Sequence, residues 1–208
     1  MEITIIGTGN MARGIATRLL AGSHAVTLVG TSSEQARTLA GELSADVRAA
    51  EIGDPLQGDV VVLAIPYTAV DDVLGAHAGQ LDGKVVVDIT TNPVDFSAFR
   101  LLHPGAGSAA QEIAGKAPGA RVVKAFNTTF AGTLLEGRVA DQPVDVLIAS
   151  DDEDAKETVG TLVDDGGLRA IDAGPLTRAA ELESLGYLHM ALQDPLGTGF
   201  ASAVKFIG

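Results

Sequence analysis

An α/β fold, with a mostly parallel sheet carrying helices on both faces, is announced in this 208-residue sequence by three features. Short runs of valine and isoleucine recur along the chain, which is how strands buried on both faces read. Segments with helical spacing fill most of the gaps between them, and that alternation implies right-handed crossovers onto one sheet. The first strand also ends in a glycine-rich turn that opens directly into the first helix.

In chain order the spacing predicts strands over 3–6, 25–29, 60–65, 85–89, 121–125 and 144–149, with weaker candidates at 47–49 and 168–171. Helices are predicted over 11–21, 34–43, 69–78, 109–115, 152–165 and 176–192. No repeat of solenoid length, low-complexity tract or Pro-rich linker divides the chain. Residues 1–175 therefore read as one sheet-bearing domain, with 176–208 as a helix and tail that pack on it and complete a substrate cleft.

Composition removes several functions. A net charge of −13 opposes nucleic acid and anionic membrane surfaces, which both call for basic residues. The partner expected is a small molecule. With no cysteine there is no disulfide, zinc-thiolate or thiol nucleophile, which fits a reducing interior. No apolar run approaches the ~20 residues that span a bilayer, and the start lacks the pattern of a signal peptide, so a cytoplasmic location is expected.

The most informative stretch is Ile3-Thr4-Ile5-Ile6-Gly7-Thr8-Gly9-Asn10-Met11-Ala12. It has the G-x-G-x-x-A form of a Rossmann-type dinucleotide turn. Gly7 permits the tight bend, Gly9 lets the backbone approach a diphosphate, and Ala12 allows close packing of helix on strand. The helix start offers free N–H groups and partial positive charge to the phosphates.

The choice of dinucleotide turns on the end of the second strand. An NAD site usually places an acidic residue there for the ribose 2′-OH, but the run is Val29-Gly30-Thr31-Ser32-Ser33. Hydroxyls at Thr31 and Ser32, with Arg13 and Arg37 nearby, suit a 2′-phosphate. NADP(H) is therefore expected. Ser32 and Gln35 also have the spacing of a capping box for the second helix.

Other features read as scaffold. Gly105-Ala106-Gly107-Ser108-Ala109-Ala110 imitates the first turn, yet Ser108 and Gln111 explain it as a capped helix start. Gly197-Thr198-Gly199 reads as a loop. The four histidines are scattered without metal-ligand spacing, and Ser184 lacks the elbow that exposes a nucleophile. The acid pairs Asp71-Asp72, Asp151-Asp152 and Asp164-Asp165 read as solvated helix edges. Leu182, Leu185, His189 and Leu192 form a stripe expected to pack on the sheet.

The start around Gly9-Asn10-Met11-Ala12 resembles pyrroline-5-carboxylate reductases and β-hydroxyacid dehydrogenases, but those families add a long all-helical domain that 208 residues do not accommodate. Over nearly the full length the sequence instead resembles the NADPH-dependent F420 reductases. That resemblance rests on Gly7-Thr8-Gly9-Asn10 with Arg13, on Gly30-Thr31-Ser32, on Ala64-Ile65-Pro66-Tyr67, and on Asp172-Ala173-Gly174-Pro175-Leu176. It implies that Thr8, Asn10 and Met11 lie beside the dinucleotide, with Arg13, Thr31 and Ser32 at the 2′-phosphate. Ile65, Pro66 and Tyr67 would border the nicotinamide end. Thr90, Thr91, Asn92 and Pro93 would share that rim, and Asn127, Thr128 and Thr129 would hold the deazaflavin. A homodimer is implied as well. The run Lys124-Ala125-Phe126-Asn127-Thr128 also resembles the oxidoreductase domain of the six-transmembrane metalloreductases, which bind a flavin.

Hydride transfer between a nicotinamide and a deazaflavin or flavin needs two rings held face to face, with the reactivity residing in the cofactors. A cofactor motif without an acid–base constellation suits that chemistry. Three functions stay open at this point: an NADPH:deazaflavin oxidoreductase, an NADPH-dependent flavin, quinone or other small-acceptor reductase, and a non-enzymatic NADP(H) sensor. Asn92 and Asn127 could each donate an amide hydrogen bond or simply form loops.

Overall fold

The structure, a computed structural model, describes residues 1–90, 94–95, 100–101 and 107–207. The first half runs β1 (Glu2–Ile6), α1 (Asn10–Ala21), β2 (Ala25–Gly30), α2 (Ser33–Leu43), β3 (Arg48–Glu51), β4 (Val60–Leu63), a 3-10 turn (Tyr67–Ala69), α3 (Val70–Ala76) and β5 (Val85–Asp88). Two short strands follow, β6 (Val94–Asp95) and β7 (Arg100–Leu101). Then come α4 (Ala109–Lys116), β8 (Arg121–Lys124), α5 (Ala131–Glu136), a small hairpin of β9 (Arg138–Val139) and β10 (Gln142–Pro143), β11 (Asp145–Ala149), α6 (Glu153–Asp165) and β12 (Arg169–Gly174). A second 3-10 turn (Leu176–Arg178), α7 (Ala179–Ala191) and α8 (Gln193–Leu196) close the order.

The main sheet has the order β12-β11-β8-β5-β4-β1-β2-β3. From β3 to β8 all neighbours are parallel, so six strands end at one rim. β11 and β12 are parallel to each other but run against β8, joined to it at Ala149↔Lys124. The α/β expectation holds, with a reversal at this edge that alternation alone does not reveal. Its cause is the connection after β8: α5 and the hairpin return the chain to the rim, so β11 starts there. Six residues of α5 are too few for a periodic signal, and the sequence reading omits them.

Two apolar layers cover the sheet. Ile3, Ile5, Val60, Val62, Val85 and Val87 face α1, α2 and α6, while Ile6, Val61, Leu63 and Val86 face α3, α4 and the start of α7. Consecutive residues of one strand thus go to opposite layers, the period-2 alternation of a strand with two buried faces. α1 also packs against α5, and a Cβ on Gly14 would meet Leu134 Cβ at 2.9 Å.

Two expectations need correction. β4 ends at Leu63, so Ile65 lies beyond it, before the 3-10 turn. The predicted helix over 176–192 is a 3-10 turn followed by α7, whose buried residues include Leu182, Glu183, Gly186 and His189. Leu185 is half-buried and Leu192 is exposed, because the inward stripe is turned toward Glu183. The acid pairs lie at solvated helix edges as expected, all but Asp152 being exposed, and they also make contacts there: Asp152 caps α6 and makes a two-point pair with Arg121, Asp151 accepts from Leu176 N, and Asp71 pairs with Lys116.

Candidate functional site

The dinucleotide turn forms at the point where chain order reverses, with β1 flanked by β2 and β4. In open α/β sheets the ligand crevice lies beyond the carboxyl ends of the strands at such a point. Gly7 has φ +126, and a Cβ there would overlap the Ala64 carbonyl after β4, so only glycine lets the two strand ends close together. Gly9 is different. It is the N-cap of α1 with no side-chain cap, and a Cβ on it would meet nothing within 4 Å. Space and uncapped helix N–H groups together form a cradle that fits a diphosphate. Asn10 is exposed and Met11 half-buried at this helix mouth.

Toward β2, Thr8 lies against Gly30, where an added Cβ would sit 3.2 Å from Thr8 Cγ2. Ser32 caps α2 by accepting from Gln35 N at 3.4 Å, but the reciprocal half of the expected box is absent: Gln35 Oε1 accepts from Thr31 Oγ1 at 2.8 Å instead. A groove lined by Thr8, Arg13, Gln35, Thr38 and Leu39, and also by the carboxylates of Glu34 and Glu42, runs past these residues. Arg13 pairs with Glu42, and Arg37 folds back on Ser33, donating to its carbonyl at 3.0 Å and to its hydroxyl. The fold adds a carboxylate that inspection of the second strand does not find. Glu51 ends β3, lies opposite Gly30 in register, and accepts from Ser33 N at 3.3 Å.

On the other side of β1, Ile65 is half-buried and Pro66 exposed, and Pro66 starts the 3-10 turn. The Tyr67 hydroxyl donates to Glu112 of α4, which also accepts from Lys116 at 2.5 Å. Burial, with Glu112 adding to it, pushes the Tyr67 phenol up to about 12. The hydroxyl of Tyr67 therefore anchors this loop to α4. Thr91, Asn92 and Pro93 lie outside the described residues.

After β8 the chain makes a strained turn. Phe126 is buried with φ +62, and Asn127 N donates to Ala125 O at 2.8 Å, as in a γ-turn of positive φ. Such strain in a bulky residue clusters at functional sites. Asn127 is 6% exposed, its Nδ2 donates to Leu182 O at 2.8 Å, and its Oδ1 has no partner among the described residues. A Cβ on Gly186 would come within 2.6 Å of Asn127 O, so α7 lies directly on this turn. Thr129 Oγ1 donates to Phe126 O at 2.7 Å, which commits that hydroxyl to the turn itself. Thr128 is buried, and its carbonyl meets His189 Nδ1 at 3.1 Å. His189 stacks on Phe130 with ring centroids 4.2 Å apart. Desolvation lowers the His189 pKa.

Beneath this rim lies a cluster that the sequence reading missed. Lys124, Asp88 and Glu183 have no exposed side-chain surface, and Lys124 Nζ lies 2.8 Å from Asp88 Oδ2 and 2.9 Å from Glu183 Oε1. The Glu183 carboxylate also accepts from Ala109 N and Ala110 N at the start of α4. Burial raises the Glu183 pKa, with Lys124 opposing. The only trace in sequence is a charged residue at the end of each of two apolar strands.

The fold and this crevice define a dinucleotide-binding oxidoreductase scaffold. Comparison with known proteins makes the assignment particular. The family model for "NADP oxidoreductase coenzyme F420-dependent" matches residues 2–92. The chain is similar to the F420-dependent NADP reductase of Methanothermobacter marburgensis, 32% identical over 208 residues and 89% of each chain. A crystal structure from Arthrobacter sp. FB24, provisionally described as an F420-dependent NADP reductase, superposes with a TM-score of 0.87 at 30% identity and covers 99% of both chains. The metalloreductase STEAP3 of Rattus norvegicus is 32% identical over 184 residues, 88% of this chain and 36% of that protein. The chain belongs to the F420-dependent NADP reductase family, and it is an NADP-linked oxidoreductase.

Proposed function

We propose that the chain transfers a hydride between NADP(H) and the deazaflavin coenzyme F420. The observation that carries this reading is Asn127, held on a strained turn at the rim with its amide nitrogen fixed and its buried oxygen left for a ligand. NADPH supplies the hydride when bound. The chain's own part is to hold and align the rings, and to exclude water between them.

In this reading Gly7, Thr8, Gly9, Asn10 and Met11 take the diphosphate, with Arg13, Thr31, Ser32 and Arg37 around the 2′-phosphate. Ile65, Pro66 and Tyr67 border the nicotinamide end. Thr91, Asn92, Pro93, Asn127, Thr128 and Thr129 hold the acceptor, with Thr129 acting through the shape of the turn. Residues 1–175 carry the dinucleotide, and 176–208 complete the acceptor side.

NADPH oxidation followed at 340 nm against F420, FMN and quinones tests the proposal. Turnover with F420 supports it. FMN turnover with F420 silent would favour a flavin reductase, the reading that the likeness to a metalloreductase supports. Silence with every acceptor, despite NADPH binding, would favour a sensor. Among the described residues no helix is long and apolar enough to cross a membrane, and we place the enzyme in the cytoplasm. Leu188, Leu192 and Leu196 are exposed at successive helical turns of α7 and α8, which supports a homodimer through that side. Sedimentation showing a monomer at micromolar concentration would remove it.

A further inference from the structure

The buried cluster at the carboxyl end of β5 and β8 does more than join helices to the sheet. Lys124 Nζ donates to Thr90 O at 2.5 Å, and Asp88 Oδ1 accepts from Thr90 N at 2.7 Å. Both backbone groups of Thr90 are thus gripped by charged side chains that are themselves fully buried, and charge-assisted bonds of this kind are the strong ones. Its hydroxyl is left over. Thr90 is 2% exposed, and its Oγ1 has no hydrogen-bond partner among the described residues. Burying a hydroxyl unpaired costs free energy, so a rigidly held orphan calls for an explanation.

Thr27 and His77 also bury unpaired atoms, but Thr27 lies within β2 and His77 caps the end of α3. Thr90 and Asn127 differ in standing just beyond the carboxyl ends of their strands, the rim where ligands bind in this architecture. Position along the rim narrows the ligand. The groove proposed for the 2′-phosphate lies between Thr8, α1 and α2, on the β2 side of β1. β5 lies on the other side, one strand past β4, so a dinucleotide crossing the helix mouth of α1 brings its nicotinamide half toward Thr90.

We propose that the Thr90 hydroxyl binds the nicotinamide half of NADP(H), with Lys124 and Asp88 as the positioning residues that hold it for that contact. The proposal rests on the NADP(H) reading of the crevice. It concerns binding, and it holds whichever acceptor takes the hydride.

The test is Thr90→Val, which removes the hydroxyl and keeps the shape, with Thr90→Ser restoring it. Calorimetric titration compares NADPH with adenosine 2′,5′-bisphosphate, which lacks the nicotinamide half. Thr90→Val is expected to weaken NADPH roughly three- to tenfold, the effect of one neutral hydrogen bond, and to leave the bisphosphate within about twofold. Thr90→Ser should bind NADPH more tightly than Thr90→Val. The ligand-free Val variant should melt no lower than the wild type, because an unpaired polar group has been removed. Unchanged NADPH affinity, an equal loss for both ligands, or a lower melting temperature would each overturn the proposal. Failure of the wild type to bind the bisphosphate would remove the NADP(H) reading and this inference with it.

Discussion

Glu183 of α7 reaches Lys124 of β8 across 2.9 Å, and neither side chain has any exposed surface. That contact joins the last long helix to the sheet beneath the turn that holds Asn127. Asp88 holds the same ammonium from β5, and the start of α4 holds the same carboxylate. The last helix is therefore part of the site's foundation.

Removing one member should be severe. Lys124→Met leaves two carboxylates buried without their cation, and is expected to lower stability by about 3–5 kcal/mol. Urea unfolding measures the loss. A midpoint within error of the wild type would show the cluster to be hydrated or protonated in the folded protein.

The two glycines of the first turn should respond in opposite ways. Gly7→Ala places a Cβ against the Ala64 carbonyl at a positive φ, and should cost about 2 kcal/mol or more of stability. Gly9→Ala meets open space in the free protein, so its melting temperature should barely move. Its NADPH affinity should fall about tenfold or more, through loss of the backbone's approach to the diphosphate. Thermal unfolding and titration of both variants separate the two roles.

Glu51 accepts from Ser33 N beside the proposed 2′-phosphate site, where its charge would repel that group. Glu51→Gln removes that charge and keeps an acceptor for Ser33 N. It should tighten NADPH by a few-fold at low salt, about 1 kcal/mol for a unit charge at short range in a watery site. NADH should be unaffected. Equal gains for both nucleotides would place the 2′-phosphate elsewhere.

Stability should fall in mild acid. Burial lowers the pKa of His77 and His189 below the ordinary 6.5. Below pH 6.5 the unfolded chain takes up protons that the folded chain refuses, so stability drops until the lower folded values are reached. The urea midpoint should be lower at pH 5.5 than at pH 7.5. Further into acid Asp152 adds a second loss, since Arg121 first, then the Ala155 N–H, hold its carboxyl at about 2. Its contribution is complete above the ordinary 3.8 and disappears as pH falls toward 2. Asp152→Asn should flatten that part of the profile.

The glycine turn, the strands β1, β2, β4, β5 and β8 and the capped starts of α2 and α4 could be read directly, because each rests on residues within one or two turns of one another. Gly9 between strand and helix, Ser32 with Gln35, and Ser108 with Gln111 are local facts, and local physics suffices for them. Family membership was likewise visible in short stretches such as Gly7-Thr8-Gly9-Asn10. The opposite direction of β11 and β12, the carboxylate of Glu51 beside Ser33, and the meeting of Asp88, Lys124 and Glu183 were decided by the tertiary structure. These depend on which strand ends come side by side, through contacts between residues 18 to 59 positions apart. A buried charge carries no mark in sequence until the fold supplies its partners, and the cost of leaving it unpaired makes those partners obligatory.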